Sequence, residues 1–161
     1  MPTRLFTVPL AMIASSFFGA VAEAQINNES HSTCRSASNT FISELEAGRD
    51  LDVVRLGRHG PNEQSPYEGR TQDYVFTATG SAVTSVLASP VFMAAKADQF
   101  LSDCGDAATV IFGLEHTGHF AVMGEVNGAT KRFQCAEDIG IEPRRGRELP
   151  VIPWGYALCS L

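Results

Sequence analysis

The sequence predicts an α+β domain: an antiparallel sheet with two or three helices packed on one face, held by two disulfides. Three observations predict it. Stretches of helical period and of strand period follow one another without an internal repeat. The strand signals concentrate in the second half, around Asn127-Gly128, a strong short hairpin signal because both residues tolerate positive φ. Four cysteines, an even number, stand at the ends of predicted elements. At 161 residues, 44% apolar and 19% charged, the chain has the size and composition of one globular domain.

Residues 1–24 read as a secretory signal peptide. Arg4 is the sole charge before the apolar and small residues from Leu5 to Ala22, and Ala22-Glu23-Ala24 offers small residues at the −3 and −1 positions of a cleavage site. Pro9 and the Ser-Ser-Phe-Phe-Gly tract weaken the alternative of a membrane-spanning helix. Gln25, not a cysteine, stands immediately after the cleavage site, which argues against a lipid anchor. No later stretch is apolar enough to span a bilayer, so no stable membrane span is expected after signal cleavage. The product is expected to be exported, to the periplasm or the extracellular space. Residues 25–32 are polar and aperiodic, a flexible lead-in that includes the sequon Asn28-Glu29-Ser30. Residues 33–161 then form the single disulfide-bonded domain.

A helix is predicted from about Thr33 to Ala47. Ser32 or Thr33 can cap it, Cys34, Ala37, Phe41 and Leu45 make one stripe, and Gly48 stops it. A strand follows from Asp52 to Arg58, with Val53, Arg55 and Gly57 on one face. Residues 60–73 read as a loop and Tyr74–Thr77 as a short strand. The segment after it holds one or two helices, punctuated by Ser89-Pro90, with a second stripe of Met93, Ala97, Phe100 and Cys104 and a stop at Gly105. Ala108–Leu114 is a continuous apolar run, as a central strand would be, and Phe120–Val126 alternates. Thr130–Cys135 is the return strand of the hairpin. Residues 136–153 form a proline- and charge-rich loop, and Trp154–Cys159 a short final element, read as an edge strand.

Four cysteines allow three pairings. The two helix stripes carry Cys34 at the start of one helix and Cys104 at the end of the other, so antiparallel helices would bring them together. Cys135 ends the hairpin and Cys159 the chain, so their bridge would pin the tail. Cys34–Cys104 and Cys135–Cys159 are therefore the favoured pairs. No C-x-x-C pair and no His at ligand spacing accompanies them, which argues for disulfides over a metal site. No metal and no cofactor is expected. The formal charge of −6 argues against nucleic acid as a partner.

Arg58-His59-Gly60, at the end of a strand, resembles the signature of histidine phosphatases. That resemblance implies a nucleophilic His59, a phosphate-holding Arg58, and His116 as the second histidine, after the apolar run TVIFGLEH. Three points weigh against it. A whole helix precedes the motif, although the family places it on the first strand. The chain after Val53 is short for a covered α/β domain. Asn127-Gly128 predicts a hairpin where a parallel sheet would need a crossover.

A second pattern spans about residues 33–159: Ala88-Ser89-Pro90-Val91-Phe92-Met93, then Cys104, Val110-x-Phe112-Gly113, Phe133-x-Cys135 and Trp154-Gly155-Tyr156-x-x-Cys159. It resembles a family of small exported proteins, common in cyanobacteria, with spaced cysteines and a C-terminal Trp-Gly-Tyr-x-x-Cys ending. Phe120 stands where a tryptophan is usual, and Arg58-His59-Gly60 lies outside the pattern. The resemblance implies an exported, disulfide-bonded domain and no catalytic residue.

Other candidates have plain structural alternatives. Trp154 and Tyr156, near Arg144, Arg145 and Arg147, suit a binding surface, or pack over the sheet beneath the terminal disulfide. The arginines suit an anionic partner, or form a solvated, salt-bridged loop. His116 and His119 have poor metal geometry on a strand and turn. No Gly-x-Ser-x-Gly and no phosphate-binding or dinucleotide loop occurs. The expectation is a binding or envelope-interaction domain with an envelope or extracellular partner, against the alternative of a histidine-phosphatase-like phosphohydrolase.

Overall fold

The computed structural model describes residues 34–59, 64–141 and 151–159, with the side chains of Arg58 and His59 outside that set. The expectations for the leader, the lead-in, the sequon and the Ser32 or Thr33 cap lie outside the described residues, as do Gly60, Arg144, Arg145 and Arg147.

Helix α1 covers residues 34–46. Its predicted stripe is its buried face: Cys34, Ala37, Phe41 and Leu45 are all buried. Gly48 ends it at φ 68°, and the Arg49 guanidinium donates to the carbonyls of Glu44, Leu45 and Ala47 there. Strand β1 (Asp52–His59) pairs antiparallel with β2 (Gln72–Thr79). Two helices follow, α2 (Val83–Leu87) and α3 (Pro90–Asp103). Strands β3 (Ala107–Leu114), β4 (Phe120–Val126) and β5 (Ala129–Arg132) then form a meander. The five strands lie in the order β1-β2-β3-β4-β5.

The sheet is mixed where a wholly antiparallel one was expected. β2 and β3 run parallel, and the other three ladders antiparallel. The cause is the crossover: two helices occupy the chain between β2 and β3, so it re-enters the sheet at the same end it entered before. Other differences are local. Tyr74–Thr77 is the middle of a longer strand. Pro90 opens α3 as expected, but Ser89 makes no side-chain cap hydrogen bond. Helix α3 stops at Cys104, extended at φ −119°, one residue before Gly105.

One face of the sheet carries the core. Val53, Tyr74, Phe76, Val110, Phe112, Ala121 and Met123 are buried there, against α1 and α3. At its centre the Phe41 ring lies 4.5 Å from Phe76, and Phe100 lies 5.1 Å from Tyr74 and 5.3 Å from Phe41, edge to face. The side chains of Val75, Ile111 and Val122 on the opposite face are only half-buried.

Both favoured disulfides are formed, with Cα atoms 4.5 Å apart for Cys34–Cys104 and 5.3 Å apart for Cys135–Cys159. The first joins α1 to the end of α3 inside the core. Among the described residues, no helix is long and apolar enough to cross a membrane.

Candidate functional site

The candidate site is built where the last strand leaves the sheet. Asn127 (φ 55°) and Gly128 (φ 75°) turn β4 into β5, both in the left-handed region that a two-residue hairpin loop requires. The expected return strand to Cys135 is interrupted at Phe133. Its N–H still donates to the Val122 carbonyl at 2.9 Å, but its ring lies over Gly124 on the face away from the helices. Gly124 makes this possible: a β-carbon there would stand 2.7 and 2.8 Å from two ring atoms of Phe133. The chain then enters β6 (Gln134–Cys135), which pairs in parallel with β7 (Tyr156–Ala157). The final element is thus an edge strand of a separate two-stranded ladder. The Gln134 N–H donates to the Gly155 carbonyl at 2.9 Å, and the Cys135–Cys159 bond closes the ladder.

This path sets Trp154 against the Phe133 ring, 5.0 Å between centroids, and against Tyr67 of the β1–β2 connection at 6.0 Å. One acceptor fixes both outer rings. The Glu125 carbonyl receives the Trp154 indole N–H at 2.8 Å and the Tyr67 hydroxyl at 3.2 Å. The Glu125 carboxylate pairs with Arg70 at 3.2 Å, and Arg70 also lies over the Tyr67 ring at 5.9 Å. Between these groups and the hairpin lies a groove of about 620 Å³, lined among others by Tyr67, Trp154, Tyr156, Lys131, Arg132 and Gln134. That volume falls within the range of small-ligand sites.

The Tyr67 phenol is pushed above its ordinary value near 10, first by burial and then by the negative Glu125 carboxylate, with Arg70 opposing. The folded protein therefore holds the protonated phenol more firmly than the unfolded chain does. The stability this contributes is complete below about pH 10 and is lost as pH climbs through the raised value. Phenolate absorbance should show Tyr67 ionising later in the folded than in the denatured protein, and the difference between wild type and Tyr67→Phe should isolate that late step. Alkaline curves that coincide would mean that the phenol is not held.

The sequence-predicted candidates are distributed unevenly. Trp154 and Tyr156 meet in the groove. Arg144 and Arg145 lie outside the described residues, and the cations at the groove are Lys131 and Arg132 of β5. Sequence reasoning missed these two, although Thr-Lys-Arg, one residue after the Asn-Gly turn, marks a polar strand.

The phosphatase candidates are separated. The backbone of His59 pairs with Asp73, and Asp73 pairs with Thr109 at the start of β3. His116 follows Leu114, whose partner Ala78 stands at the other end of β2. At about 3.3 Å per residue the two backbone positions are about 20 Å apart. His116 is 89% exposed, with Glu115 as its neighbour at 3.5 Å.

Two clusters of metal-ligating types occur among the described residues: Cys34, Cys104 and Asp106, and Cys135, Glu137 and Cys159. In both, the sulfurs are joined to each other and offer no thiolate. Asp106 Oδ1 lies 3.0 and 3.2 Å from the two sulfurs of the first bond. Those sulfurs carry no proton and cannot donate, whereas the Tyr74 hydroxyl does donate to this carboxylate, at 2.8 Å. Comparison with family models, with characterised proteins and with solved structures finds no match for the chain.

Proposed function

We propose that this is a small exported domain that acts by binding and not by catalysis, with the groove beside Trp154 as its recognition surface and a component of the envelope or the extracellular medium as its partner. The observation that carries the reading is the shared acceptor. A single carbonyl at the end of β4 holds both Tyr67 and Trp154. The aromatic wall is therefore ordered before anything binds, and little side-chain freedom remains to be lost on binding. Two disulfides suit an oxidising compartment, in keeping with the leader pattern of residues 1–24. The distance between His59 and His116 along the sheet speaks against a shared phosphate site.

The test compares wild type with Tyr156→Ala for retention on the envelope fraction of the cells that make the protein. Retention should fall in the variant while its melting temperature stays close to wild type. Equal retention would overturn the groove's role. Turnover of a generic phosphomonoester that disappears in His59→Ala would overturn the non-catalytic reading.

A further inference from the structure

We propose that the groove binds an acidic saccharide, its rings lying against the aromatic wall and its carboxylate or sulfate groups meeting Lys131 and Arg132. This rests on the groove being the recognition surface and adds the chemistry of what it recognises.

The first argument is charge. The chain carries a formal −6, yet no acidic side chain is found among the described residues that line the groove. The carboxylate of Glu125, beside the lining residue Val126, is paired with Arg70. Lys131 and Arg132 have no carboxylate partner among the described residues. The groove therefore has the opposite sign to the molecule around it. A neutral occupant would cover two cations without replacing their hydration, whereas an anionic one forms charge-assisted hydrogen bonds with them.

The second argument is the character of the walls. A peptide laid in a groove as an added strand needs free backbone donors and acceptors. Beside Trp154 several of them are engaged. The Gln134 N–H and the Gly155 carbonyl bond to each other, the Glu125 carbonyl accepts from two side chains, and β6 and β7 pair together. The groove offers instead rings (Tyr67, Trp154, Tyr156), amides (Asn127, Gln134) and cations. Rings take the apolar C–H face of a sugar, amides take its hydroxyls, and cations take its acidic groups.

Trp154 is the sole tryptophan of the chain, so intrinsic fluorescence reports on this wall alone. The experiment titrates the oxidised protein with oligogalacturonate, with a dextran sulfate oligomer, with unsulfated dextran of the same length and with oligoglutamate. At least one acidic saccharide should give a saturable change in Trp154 emission that weakens with added salt. Unsulfated dextran should give none, and oligoglutamate should bind more weakly. Lys131→Gln with Arg132→Gln, both exposed, should lower the affinity about tenfold or more without a change in melting temperature.

No saturable response to either acidic saccharide would overturn the proposal. So would an equal response to unsulfated dextran, tighter binding of oligoglutamate, or an unchanged affinity in the double variant. Envelope retention separates this failure from the broader one. Retention that still depends on Tyr156 would leave the groove's role standing without this ligand class. Retention indifferent to Tyr156 would remove both.

Discussion

Opening the Cys34–Cys104 disulfide is expected to lower the stability of the domain by about 4 kcal/mol. The bond closes a loop of 70 residues, and the chain-entropy relation gives about 4 kcal/mol for a loop of that length. That is a large part of the 5–15 kcal/mol typical of a folded domain. The site has no cheap way to adapt, because Cys34 and Cys104 are 2% and 0% exposed. A Cys34→Ala/Cys104→Ala variant should melt about 10–15 °C below wild type. The Cys135→Ala/Cys159→Ala variant should lose less, about 3 kcal/mol, because its loop spans 24 residues. The two should also differ in kind. The second variant releases β7, so Trp154 emission should change well below the main transition. If the first variant melts with the wild type, the bond does not constrain the core.

The other large effect is expected at Phe100. Its side chain is 2% exposed and touches three rings, with centroids at 5.3 Å (Phe41), 5.1 Å (Tyr74) and 5.5 Å (Phe76). Phe100→Ala should cost about 3–5 kcal/mol, combining lost burial with a cavity that the sheet cannot close. The midpoint of urea unfolding should fall while its slope stays constant. Phe100→Leu, closer in volume, should lose much less, about 1.5 kcal/mol or below. Equal losses in the two variants would mean that ring contacts and not volume hold this part of the core.

The helix stripes were legible because each rests on local spacing. Cys34, Ala37, Phe41 and Leu45 share a face by helical period alone, and Met93, Ala97 and Phe100 do the same; all seven are buried. The cysteine pairs followed from those stripes and from chain position. The Asn127-Gly128 turn was readable because its positive φ values are a local steric matter. The direction of β2 against β3 was not readable, since it depends on where the crossover re-enters the sheet. The break at Phe133 was hidden for a similar reason. It needs the space above Gly124, nine residues earlier and on another strand. The candidate site shared this fate. Trp154 and Tyr156 stood out as aromatic residues near the terminus, but their partners Tyr67 and Glu125 come from distant segments joined only in the folded chain.

The parallel ladder between β2 and β3 also bears on the order of events during folding. Phe76 meets Phe112 across it, so the central contact waits until two helices and a third strand are available. The β3–β4–β5 meander needs only neighbouring chain and forms on a shorter timescale. The native partner of Cys34 is carried by the crossover itself, at the end of α3, so the pair waits for α3 to dock against α1. Closing the crossover thus sets the tempo, and oxidation of the first cysteine records that α1 has met the end of α3.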